Sequence, residues 1–187
     1  MTRKRMFVLC VPILLTGCMP KMTLEEMKAM TPQRPVELDK LNAFVGEWEF
    51  EGEMTFAFLD QPIETSGTNS VHWAGNNWFL ISDGIFNMTG FDNDMHGHET
   101  WTYDTHAKKY RTTWTDSMGG TGLGEARYDE ANNTWHMKAR ANTPHGKSTM
   151  KGHVKFLDPS TIEWSWNEYM MGGLMKVSSM TGTSRRK

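Results

Sequence analysis

The chain has 187 residues, enough for one domain with one substantial core, and its 20 basic and 22 acidic residues leave a formal charge of −2. Arg3, Lys4 and Arg5 are the only charges before residue 18, so losing them takes the charge from −2 to −5, which argues against nucleic acid as a partner. Both cysteines, Cys10 and Cys18, lie in or beside the same N-terminal stretch, so neither a disulfide framework nor a thiol nucleophile is expected in the rest.

That stretch has a basic end, an apolar segment from Met6 to Leu15, and small residues before a cysteine in Leu15-Thr16-Gly17-Cys18. The pattern is that of a bacterial lipoprotein signal: residues 1–17 would be removed and the Cys18 thiol lipidated. Met19 stands where an aspartate would retain the protein at the inner membrane, so the expected location is the outer membrane, facing the periplasm. No later run is apolar for the roughly 20 residues that cross a bilayer, so the membrane is a partner through Cys18 alone. Residues 18–35 are polar, hold three prolines and read as a tether, with a short helical stretch where Thr23 and Glu26 have capping-box spacing.

The domain proper is expected over residues 36–187. Leu38, Leu41, Phe44 and Val45 recur at helical spacing and predict a short helix leading into it. From Glu47 to Met54 every second residue is a glutamate and the others are mostly apolar, the period of a half-buried strand. Further strands are predicted at Thr68 to Ala74, Trp78 to Phe86, Glu99 to Asp104, Tyr110 to Thr115 and Gly124 to Asp129. Thr134 to Ala141, Ser148 to Leu157, Thr161 to Tyr169 and Leu174 to Thr183 complete about ten. Turn residues such as Gly75-Asn76-Asn77, Asn132-Asn133 and Gly172-Gly173 separate them. So many antiparallel strands must close or stack, since otherwise two long edges stay exposed; an all-β, up-and-down barrel is expected, with a β-sandwich as the alternative.

Leu41-Asn42-Ala43-Phe44-Val45-Gly46-Glu47-Trp48, Tyr110-Arg111-Thr112-Thr113-Trp114-Thr115-Asp116-Ser117-Met118 and the closing Arg186-Lys187 resemble the bacterial family labelled domain of unknown function 1579, over about residues 38 to 187. Gly-x-Trp after a short helix is also similar to the entry of calycin barrels, the lipocalins and fatty-acid-binding proteins. That resemblance implies that an arginine of the last strand, Arg185 or Arg186, packs over Trp48. The family carries no assigned activity, so the resemblance speaks for the fold and leaves cofactors open.

Eight tryptophans and nine phenylalanines are many for this length, and parity gives their direction. Trp48, Phe50, Met54, Phe56 and Phe58 share one face; Ile162, Trp164 and Trp166 share another; Tyr110, Thr112, Trp114 and Asp116 a third. Pointed inward, these side chains either fill the barrel or line a cavity for one small apolar ligand. Tyr110, Trp114, Asp116, Trp164 and Trp166 are the candidate ligand-binding residues. Asp116 needs a partner if it faces inward: either an arginine of the last strand, making the pair structural, or solvent and ligand at the cavity mouth.

Asp92, Asp94, His96, His98 and Glu99 gather oxygen and imidazole groups in what reads as one loop and form a candidate metal site. The 16 methionines are spread singly, which suits packing better than copper. His72, His136 and His153 each stand alone in a strand, which suits neither a triad nor a zinc set; a haem-binding reading, borrowed from a related small barrel with an axial histidine, could use any of the three, and nothing selects one. No acid-base pair is evident, and Ser117 lacks a nucleophile elbow, so no catalytic residue is expected. The expectation is a binding barrel, with a filled structural module of the envelope as the alternative.

Overall fold

The computed structural model describes residues 21–187, so the expected lipoprotein signal and Cys18 lie outside the described residues. Helix α1, Leu24–Ala29, carries the expected capping box, Thr23 accepting from the Glu26 amide while the Glu26 carboxylate accepts from Thr23. All of its residues are exposed, and it belongs to a unit that ends at Gln33, distinct from the unit spanning Arg34–Lys187.

In that second unit, a 3-10 segment, Val36–Phe44, leads into β1 (Gly46–Phe56), β2 (Ile63–Ala74), β3 (Phe79–Met88), β4 (Met95–Asp104) and β5 (Lys109–Asp116). There follow β6 (Thr121–Asp129), β7 (Thr134–Thr143), β8 (Gly146–Asp158), β9 (Thr161–Met170) and β10 (Met175–Arg186). Each strand pairs antiparallel with the next and β1 pairs with β10, giving a closed ten-stranded, calycin-like barrel. Closure removes both edges, as the strand count requires. Tight turns hold the strands at the positions their composition marks: Asn76, Asn77 and Asn133 take positive φ, which asparagine tolerates.

Alternation along β1 turns Trp48, Phe50, Met54 and Phe56 inward and Glu47, Glu49, Glu51 and Glu53 outward. A bilayer-spanning barrel needs the reverse, apolar outside, so this wall is built for water.

The two ends differ. At the end where β1 begins and β10 finishes, the 3-10 segment lies across the opening, with Leu38 and Leu41 fully buried against Trp101, Tyr110, Trp135 and Phe156. Side chains tie it down: Trp48 Nε1 donates to the Phe44 carbonyl (2.8 Å), Trp73 Nε1 to Asn42 (2.8 Å), and the Tyr110 hydroxyl to the Glu37 carbonyl (2.7 Å). Phe44, Trp101, Tyr110, Tyr128 and Trp135 stack edge-on or tilted at 4.7–5.7 Å and fill this end. We call it the sealed end, and the opposite end the mouth.

Candidate functional site

Between the aromatic plug and the mouth the barrel is lined differently. Five aromatic rings lie against glycines, four of them on a neighbouring strand and Phe86 on its own strand, β3. A Cβ placed on Gly122 would stand 2.1 Å from Trp114 Nε1; on Gly182, 2.4 Å from Trp164; on Gly152, 2.7 Å from Trp166; on Gly67, 2.7 Å from Phe50; on Gly84, 2.9 Å from Phe86. Each ring therefore rests on bare backbone, covering a glycine that has no side chain of its own to pack. Trp114, Trp164, Trp166 and Glu168 face inward in a closed barrel and still retain accessible surface, whereas Trp48, Trp101 and Trp135 at the sealed end retain almost none.

Two carboxyls line this half. Glu99 sits between Ser82 of β3 and Trp114 of β5, and Glu168 between Met150 of β8 and Ser178 of β10. The Ser178 hydroxyl donates to Glu168 at 3.0 Å. Glu99 is half-buried in the wall, and the loss of solvent around it pushes its carboxyl up to about 7, opposed only by the Trp101 indole as a nearby donor. The mouth itself is fringed by exposed apolar side chains on its turns, among them Phe58 (78%), Phe91, Met118 and Leu174 (88%).

The candidate residues fall at different heights. Trp114 from β5 and Trp164 and Trp166 from β9 all face the lumen, with Trp164 Nε1 donating to Ser184 at 2.9 Å. Tyr110 shares their inward direction but stands in the plug, where burial pushes its phenol up to about 12 and keeps the hydroxyl a donor. Asp116 corrects one expectation: it lies at the mouth, accepting from the amides of Met118 and Gly120 at 2.9 Å, and so shapes the β5–β6 turn. No arginine of β10 can pair with it, because Arg185 and Arg186 lie at the sealed end. There the Arg186 guanidinium sits 4.6 Å from the Trp48 ring and donates to the carbonyls of Ala43 and Val45. Arg185 points outward to Glu51 at 3.2 Å. Phe58 also departs from its predicted face, since β1 ends at Phe56 and the turn carries Phe58 into solvent.

The acidic, histidine-rich stretch is not one loop. β4 begins at Met95, so parity separates its members: His96 and His98 project outward while Glu99 points into the lumen. His98 Nδ1 meets Asp83 at 2.7 Å, the His96 amide donates to Ser117 Oγ at 2.9 Å, and Asp92 and Asp94 stay exposed in the turn. Among the described residues no three such groups converge on a metal position. A haem held by an axial histidine does not fit either, because all seven histidines, including His72, His136 and His153, are exposed. The depression of about 570 Å³ beside the plug, lined by Lys40, Lys109 and Tyr128, is laced by the ion pairs Lys40–Glu130 and Lys109–Glu125.

No curated protein matches the sequence. Among solved structures, the barrel resembles Rv2717c from M. tuberculosis at a TM-score of 0.65 and 11% identity, over 83% of this chain and 99% of that one. A de novo designed fluorescence-activating β-barrel aligns over 80% of this chain and 98% of its own, at 14% identity and a TM-score of 0.45. At such identities the likeness to Rv2717c is one of fold. The family model described as "Protein of unknown function (DUF1579)" matches residues 33–186, and with the whole barrel inside that match, the chain belongs to this family.

Proposed function

We propose that this protein is a binding barrel that takes one small apolar molecule through its mouth, into the lumen lined by Trp114, Trp164 and Trp166. The observation that carries this reading is the seating of five aromatic rings on glycines, which leaves inward side chains accessible above a tightly packed plug. Apolar ligand surface removed from water there is worth about 25 cal/mol per Å² before ordering costs. The exposed Phe58, Phe91 and Leu174 at the mouth give an apolar molecule a first contact on entry. The runner-up is a structural module of the envelope with a filled core, which the tight packing of the sealed end favours.

The lipoprotein pattern of residues 1–18 supports a location for this activity. Residues 1–17 act as the signal, Cys18 takes the lipid, residues 18–35 form the tether, and residues 36–187 work in the periplasm beside the outer membrane. Native mass spectrometry tests the binding reading: the chain from residue 18 on, with Cys18→Ser, is directed to the periplasm of its host and purified without chelator. A discrete added mass of a small organic molecule supports the reading. A clean mass that host lipid extract does not shift refutes it.

A further inference from the structure

Taking the lumen as a binding site, its charge inventory is one-sided. Of the residues whose register turns them inward, Arg186 is the one basic side chain among those described, and it is committed to Trp48 and two backbone carbonyls at the sealed end. The acidic groups facing the lumen are Glu99 on β4 and Glu168 on β9, with Asp116 at the mouth engaged by its own turn. Tyr103, Tyr110 and Tyr128 belong to or pack on the plug. No ion pair reaches Glu99 or Glu168 among the described residues; Glu168 has one hydroxyl donor, and Glu99 has no hydrogen bond of ordinary geometry.

A purely structural lumen has no use for two half-buried carboxyls turned inward with no cation beside them. The same walls carry indole faces, whose π-clouds attract cations most strongly when water is excluded. Carboxyls and indoles around one space are complementary to a positive charge carried on a hydrocarbon body, and they disfavour an anionic tail such as a fatty acid.

We infer that the lumen selects small apolar cations, primary or quaternary amines whose hydrocarbon part lies against Trp114, Trp164 and Trp166 while Glu99 and Glu168 face the charge. A neutral lipid fragment uses only the indoles, and a carboxylate ligand is repelled.

Three eight-carbon probes, octylammonium, octanol and octanoate, test this by tryptophan fluorescence titration of the chain from residue 18 on with Cys18→Ser. Octylammonium is expected to bind about tenfold tighter than octanol, and octanoate weakest, since a desolvated cation–π contact alone accounts for such a ratio. Glu99→Gln and Glu168→Gln should each cut the ratio of octylammonium to octanol affinity several-fold, and near-ultraviolet circular dichroism with a cooperative unfolding transition checks that the variants fold. Octanol binding as tight as octylammonium, or glutamine variants that keep the full preference, overturns the inference but leaves the cavity intact. Failure of all three probes to bind overturns the cavity and the inference together.

Discussion

Gly122→Ala isolates the geometry on which the lumen depends. The three atoms nearest a Cβ at residue 122 would all belong to Trp114, 2.1 Å away at Nε1, 2.5 Å at Cε2 and 2.9 Å at Cδ1. The nearest obstacle is thus a side chain and not backbone, so the indole can leave the wall if there is room toward the axis. The contrast is Gly152→Ala, where the Cβ would lie 2.3 Å from the Ser165 carbonyl oxygen and β8 and β9 must part. Overpacking costs about 1–3 kcal/mol, with the low end where a neighbour can swing aside. For Gly122→Ala we expect about 1 kcal/mol, a fall of roughly 2–4 °C in Tm for a domain this size, and for Gly152→Ala about 3 kcal/mol or more. Because the displaced indole then occupies the lumen, affinity for an apolar probe should fall about tenfold, and tryptophan emission should change. Thermal unfolding and fluorescence titration measure both. A Gly122→Ala protein that loses 10 °C or more, with probe response unchanged, would mean that the axis is already filled and the argument is wrong.

Arg186→Ala should cost about 3 kcal/mol in urea denaturation, because it removes the cation over Trp48 and leaves two carbonyls at the sealed end without a donor; Arg185→Ala, an exposed pair, should cost under about 0.5 kcal/mol. Tyr110→Phe should lose about 1 kcal/mol through the unmet Glu37 carbonyl and leave probe affinity intact, which separates a plug residue from a lumen residue. Glu99, raised from 4.5 to about 7, holds its proton more tightly folded than unfolded, so its contribution is full below about pH 4.5 and is lost as pH rises through 7. Between pH 5 and 8 the stability of the native chain should therefore drop by roughly 2–3 kcal/mol relative to Glu99→Gln, and parallel pH profiles for the two would contradict the desolvation of this carboxyl. Cys18→Ser should move the protein from the membrane to the soluble fraction, and unchanged membrane retention would refute the anchor.

Strand parity made much of this site readable from sequence. The alternation of glutamates with Trp48, Phe50 and Met54 marked the inner face of β1, and Trp164 and Trp166 marked that of β9. Height along the barrel was not readable, because it depends on the register between strands rather than on any one strand. That is why Tyr110 and Trp114, on the same face of β5, end in a plug and a lumen respectively, and why Asp116 stands a barrel's length from Arg186. The pairing of aromatics with glycines was hidden for the same reason, since Trp114 and Gly122 meet only across the β5–β6 ladder. The histidine-rich stretch misled because its residues are polar and turn-like, yet Met95 to His98 pair fully with β3; pairing with a neighbour overrode local propensity.

The most direct test of a lumen open above a sealed plug is a crystal of the chain from residue 18 on, carrying Cys18→Ser, pressurised with xenon, which enters apolar cavities. The account predicts anomalous density on the barrel axis within van der Waals reach of Trp114, Trp164 and Trp166, and none beneath Leu38 and Leu41. Side chains meeting across the axis with no xenon between them would contradict it.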